Sequence, residues 1–161
     1  MTHHDPSLEH DTPRHRGNEM THHDPSPGHD TPKQQGSESY EHDPLTHRII
    51  GCALEVHRHL GPGLMEATYE EALCLELTGE RIPFIRQAGV PVYYKGHLIG
   101  EHRPDLVVQD RVVVEVKSVE RVIGVHQAQL LAYMRLLKKP VGLLLNFNGE
   151  VLRTGIRRLV I

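Results

Sequence analysis

The residue types best suited to chemistry fall in two short stretches, Pro104-Asp105 and Glu115-Val116-Lys117. Val112 to Lys117 reads as one strand, preceded by a turn at Gln109-Asp110-Arg111. Alternation puts Val112, Val114 and Val116 on one face of that strand and Val113, Glu115 and Lys117 on the other. If the turn is a loop of three residues, Asp105 lies directly opposite Glu115. Directly opposed residues share a face, with Cβ atoms about 4.5–5.5 Å apart. Two carboxylates so close repel unless a cation or a proton sits between them. A loop of two residues would instead oppose Asp105 to Val114 and take the acid off that face. Paired hard oxygen donors suit Mg²⁺ or Mn²⁺, with water completing an octahedron. Lys117 beside them can orient or help deprotonate an attacking water and stabilise developing negative charge. The competing reading of these three residues is a cross-strand ion pair on a solvated face.

Other residues gain meaning only alongside that trio. Gln129 and Tyr133 are spaced to share one face of a helix, with His126 a turn earlier and Leu130, Met134 and Leu137 on the adjacent apolar stripe. Glu66 and Tyr69 share a face of an earlier helix, just after Gly63. Each of these alone fits a solvated surface or a satisfied core as well as a site.

The elements that must carry them follow from periodicity. Asp43-Pro44 is a helix start, an N-cap residue followed by Pro in the first turn. Leu45, Ile49, Ala53, Val56 and Leu60 then recur at helical spacing until Gly61-Pro62-Gly63 ends the helix. A second helix is expected from about Met65 to Leu77, stopping at Gly79. Residues 84–117 have strand character: Gly89 to Tyr94, a turn at Lys95-Gly96, one strand from His97 to Val108 bent at Gly100, then Val112 to Lys117. A third helix spans about Val125 to Lys138, closed by Pro140. The apolar run Val141 to Leu145 suits a strand buried on both faces, and residues 151–160 read as one more strand. The order α-α-β-β-β-α-β-β predicts an α/β fold around one sheet.

With these elements in place the chain resembles the GxxExxY protein family, placed within the PD-(D/E)XK nuclease superfamily. The name-giving motif is Gly63-Leu64-Met65-Glu66-Ala67-Thr68-Tyr69. The superfamily core matches Arg103-Pro104-Asp105 and Glu115-Val116-Lys117, and His126 to Tyr133 looks like the QxxxY element of RecB-like members. The stretch Gly142 to Phe147 also looks familial, so the resemblance covers residues 45–160. It implies a restriction-endonuclease-like mixed sheet with an αβββαβ core flanked by helices. It also implies roles: Asp105 and Glu115 as metal-binding acids, the Val116 carbonyl as a further ligand, and Glu66 as a first-helix acid completing the metal shell. Lys117 matches the catalytic lysine. Gln129 and Tyr133 would orient Lys117, the scissile phosphate or the substrate backbone.

Composition sets the bounds. Residues 1–44 hold eight of the 14 histidines and six of the 11 prolines, with nine acidic residues against three basic ones. Residues 1–13 and 20–32 are near-copies offset by 19 positions. Without apolar faces such a repeat has nothing to bury, so residues 1–43 are expected to be a disordered tail ahead of a nuclease-like domain at 44–161. Its His-His-Asp clusters are weak candidates for Zn or Ni, and Met20 is a candidate second start. Residues 45–161 carry 12 acidic and 15 basic residues, a mild positive balance from which arginines such as Arg86 and Arg103 can supply phosphate contacts. Tyr93 and Tyr94 are expected to pack on the core or a sheet face rather than to stack on bases. Cys52 and Cys74 lack zinc-site spacing and read as buried thiols of a cytoplasmic protein. No apolar run is long enough to span a bilayer.

These observations lead to a Mg²⁺- or Mn²⁺-dependent nuclease acting on nucleic acid, DNA first, as a homodimer or with an associated DNA-processing protein. The alternatives are a catalytically silent module of the same fold that binds nucleic acid or a partner, and metal storage through the His-rich tail.

Overall fold

The computed structural model describes residues 43–161. The expectations for the tail lie outside the described residues.

Helix α1 is Pro44–Leu60. Asp43 caps it, its carboxylate accepting from Leu45 N at 3.2 Å. Leu45, Ile49, Ala53 and Val56 are buried as the spacing required, whereas Leu60, at the helix end, is exposed. Gly61 turns the chain at φ 64°, a conformation that favours glycine. Helix α2, Glu66–Gly79, buries Tyr69, Leu73 and Leu77.

Strands β1 (Phe84–Arg86), β2 (Val90–Tyr94) and β3 (His97–His102) follow. Lys95 and Gly96 join β2 to β3 with φ of 48° and 82°, the paired positive values of a tight hairpin turn. Next come β4 (Leu106–Val108), β5 (Val112–Lys117), helix α3 (Gly124–Leu137), β6 (Val141–Asn146) and β7 (Ile156–Val160).

Two expectations are corrected here. The single strand from His97 to Val108 is two strands in two sheets: β3 pairs only with β2, while β4 pairs with β1 and β5. Pro104, which has no N–H to give a ladder, sits at the break. The segment 151–160 is strand only from Ile156, because Leu152–Gly155 form a 3₁₀ turn.

The main sheet has the order β1-β4-β5-β6-β7. Only β5 and β6 are parallel, joined by the α3 crossover. One face packs Val112, Val114, Val116, Leu143 and Leu145 against α1 and α2. The other packs Val113, Leu144 and Leu159 against Leu130, Tyr133 and Met134 of α3. The fold is thus a mixed α/β sandwich with the central strands covered on both sides, as the apolar run in β6 required. Gly142 lets α3 settle onto β6: a Cβ there would lie 2.5 Å from Met134 Sδ and 2.9 Å from Leu130 Cγ. Among the described residues no helix is long and apolar enough to cross a membrane.

Candidate active site

The β4–β5 hairpin sets the geometry. Its loop is Gln109, Asp110 and Arg111, with Gln109 and Asp110 at φ of 48° and 53°. The register is Leu106↔Val114, Val107↔Val113 and Val108↔Val112. Carried one step further, it sets Asp105 opposite Glu115, as the odd loop demanded.

The side chains meet there. Asp105 N donates to Glu115 Oε1 at 3.3 Å, and Lys117 Nζ donates to Glu115 Oε2, also at 3.3 Å. Asp105 Oδ2 accepts from Val116 N at 2.7 Å. The N–H and C=O of a strand residue point to the same side. The Val116 carbonyl is therefore directed toward the β4 side, where the ladder has already ended.

Burial makes this cluster electrostatically tense. Glu115 is only 2% exposed. Burial first, and then the charge of Asp105, push its pKa up to about 7, with Lys117 pulling the other way. Asp105 is also raised by burial, against the opposing hydrogen bond from Val116 N–H. Burial disfavours the Lys117 ammonium, but the carboxylates of Glu115 and Glu66 outweigh it and hold the pKa above its usual value. A lysine alone does not neutralise two acids, one buried and one half-buried. The donor set is hard oxygen, and a divalent cation fits its unmet charge.

Glu66 opens α2 and lines a cleft of about 650 Å³ together with Gly63, Met65, Glu70, Asp105 and Ser118. Its Oε1 accepts from Ser118 N at 3.1 Å, and Ser118 Oγ donates to Leu64 O at 2.6 Å. The start of α2 is thereby tied to the residue following Lys117. Among the described residues no three His, Cys, Asp or Glu side chains close into a metal cage.

Gln129 and Tyr133 lie on α3, the helix over the Val113 face of β5. Gln129 Nε2 donates to Tyr133 Oη at 2.9 Å, and the Tyr133 ring is packed among Leu130, Met134 and Val113. His126 Nδ1 accepts from Ile123 N at 3.2 Å, capping α3. Tyr69 donates to Gly61 O at 2.6 Å, accepts from Leu64 N at 3.1 Å and stacks on Phe147. It holds the Gly61–Leu64 loop, and hence the start of α2, in place.

Several residues of this neighbourhood carried no signal in the motifs. Glu70 is buried, bonded by Arg86 Nε at 2.5 Å and by Gln87 Nε2 at 3.2 and 3.3 Å. Its spacing from Glu66 places it on the same helix face, and that could have flagged it. Gln87 N also donates to Asp105 O at 2.9 Å, so the end of β1 braces the acid from behind. Arg86 binds Glu71 as well as Glu70 and is committed to the protein itself rather than free for a phosphate. Asn146, paired in register with Lys117, is buried and doubly bonded to Val119: Val119 N donates to its Oδ1 at 3.0 Å, and its Nδ2 donates to Val119 O at 2.8 Å.

Tyr93 and Tyr94, expected to pack on the core or a sheet face, are instead 62% and 59% exposed. They sit near the tip of the β2–β3 ribbon, which is too narrow to cover either face.

A family model described as the PD-(D/E)XK nuclease superfamily matches residues 43–159. The five-stranded mixed sheet between helices agrees with the restriction-endonuclease-like fold expected of that superfamily. Neither the curated proteins nor the solved structures give a match.

Proposed function

We propose, since the chain belongs to the PD-(D/E)XK nuclease superfamily, that it hydrolyses phosphodiester bonds of DNA with Mg²⁺ or Mn²⁺ as cofactor. The observation that carries this is the convergence of Asp105, Glu115 and Lys117 at the end of the β4 ladder. Asp105, Glu115 and the Val116 carbonyl would hold the cation, with Glu66 reaching it through water. When bound, the metal supplies Lewis acidity, polarising a phosphate oxygen and lowering the pKa of water. Lys117 offers an ammonium group to the charge that develops on the phosphate and helps orient the attacking water. Gln129 and Tyr133, bonded to each other on α3, position the substrate backbone beside Lys117. A second copy, or a DNA-processing partner, would extend target recognition beyond so small a domain. The free, buried state of Cys52 and Cys74 suits a reducing, cytoplasmic setting.

One observation favours a second reading. Asp105 and Glu115 each already accept a main-chain N–H, and no third acid closes a cage among the described residues. That arrangement also suits a silent module that grips nucleic acid without turnover. Incubating the purified chain with single- and double-stranded DNA and RNA, with Mg²⁺ or Mn²⁺, separates the two. The nuclease reading expects cleavage that falls at least 100-fold in Lys117→Ala and in Asp105→Ala. Metal-dependent binding with no cleavage would install the silent module in its place.

A further inference from the structure

The β2–β3 ribbon stands apart from the acid cluster but leads directly to it. Its base is anchored: Val90 is buried, and the His102 ring lies 5.9 Å from the Tyr133 ring of α3. Its tip is not. Every residue of β3 is exposed, and Leu98 and Ile99 are 63% and 64% exposed. Tyr93 pairs with Leu98 and Tyr94 with His97, so the two rings project from opposite faces of the ribbon. The register slips between Val92 and Tyr93, which adds twist just below the tip. Lys95 Nζ lies 5.4 Å from the centre of the Tyr94 ring.

Charge decides what such a tip can bind. Residues 90–100, which form the tip, contain no aspartate or glutamate and carry Lys95; the ribbon's one carboxylate, Glu101, lies near its base, bonded by Arg103 at 2.6 Å. Exposed aromatic faces beside a cation, at a tip without carboxylates, form the platform on which bases stack while the backbone is held electrostatically. A duplex hides its base faces, so rings of this kind engage unpaired bases. The platform is also continuous with the proposed active site, since β3 ends at His102 and only Arg103 and Pro104 separate it from Asp105. At about 3.3 Å per residue, Ile99 lies no more than roughly 20 Å from Asp105. A strand on the order of six stacked nucleotides, at about 3.4 Å each, covers that distance.

We propose that the β2–β3 ribbon is a docking surface for single-stranded nucleic acid, with Tyr93 and Tyr94 stacking on unpaired bases and Lys95 attending the backbone. This rests on the nuclease reading of the same chain and adds the strand state of its substrate. The test is binding without turnover. A fluorescein-labelled 20-mer of oligothymidylate is titrated with the full chain in EDTA and followed by anisotropy. The wild type is expected to bind, Tyr93→Ala/Tyr94→Ala to weaken binding at least tenfold, and Tyr93→Phe/Tyr94→Phe to stay within about threefold. Circular dichroism checks that the variants fold, as substitutions at exposed positions should allow. Wild-type affinity in the Ala pair overturns the proposal, as does failure of the wild type to bind the oligonucleotide. So does a defect of the Ala pair confined to anionic phospholipid vesicles or to self-association in the ultracentrifuge. Persistent cleavage by Asp105→Ala would sink the nuclease chemistry instead, leaving the binding result standing.

Discussion

Burying a carboxylate costs free energy, and Glu115 is buried beside a second acid with one lysine for company. In metal-free protein the folded state retains the Glu115 proton at pH values where the unfolded chain releases it, because its pKa rises from 4.5 to about 7 on folding. A native state that binds more protons loses stability as pH rises, so this contribution declines from pH 4.5 through about 7. Thermal melts in EDTA should therefore show Glu115→Gln more stable than wild type at pH 8, with the difference narrowing toward pH 5. Parallel pH profiles for the two proteins would show that Glu115 carries no such cost. Cys52 gives the same sign in a different window. Burial pushes its thiol from 9.0 up to about 11, with the nearby Glu80 and Glu76 adding to the effect. Native protein at pH 8 should resist iodoacetamide at Cys52, and mass spectrometry should find the adduct only after denaturation.

Elements hold the site by three connections. The β4–β5 loop sets which residues oppose one another. Ser118 ties Glu66 to the end of β5, and Asn146 ties the segment beyond Lys117 to β6. Asn146→Ala strips the half-buried N–H and C=O of Val119 of their side-chain partners, so a loss of about 1 kcal/mol is expected in denaturant titration. If the placement of Lys117 depends on this tie, DNA cleavage should fall further than the lost stability accounts for at temperatures where the variant is fully folded. Cleavage at the wild-type rate would confine Asn146 to a packing role. Gly142→Ala probes the α3–β6 contact. The new methyl group meets Met134 and Leu130, and overpacking should cost about 1–3 kcal/mol. An unchanged denaturation midpoint would mean that α3 shifts freely over the sheet.

Across the whole molecule, charge is divided unevenly. Residues 1–44 carry nine acidic and three basic residues, and residues 45–161 carry 12 and 15. The acidic segment repels a polyanion that the remainder attracts. Deleting residues 1–42 should tighten oligonucleotide binding at low salt, with the gain fading as ionic strength rises toward 0.5 M, where the Debye length is only a few ångströms. Weaker binding after the deletion would assign the tail a part in recognition. The same deletion should leave metal binding intact, whereas Asp105→Ala should remove it. The reverse pattern, by calorimetry, would relocate the metal to the histidine clusters.

Side-chain direction along a strand and the span of a short loop are local properties of the chain, and they were legible without coordinates. Alternation put Glu115 and Lys117 on one face, and the odd loop brought Asp105 across from Glu115, because neither depends on distant residues. The capped start of α1 and the doubly buried β6 were legible for the same reason. Pairing between segments far apart in sequence leaves no such period. No alternation marks Pro104 as the point where one strand becomes two sheets, and none links Glu70 to Arg86 and Gln87 or Ser118 to Glu66. Nor does strand pattern say whether anything lies over a strand, which is why the exposure of Tyr93 and Tyr94 is not legible in it. Those outcomes depend on how the helices, the sheet and the ribbon share one limited volume, and only the assembled fold settles that competition.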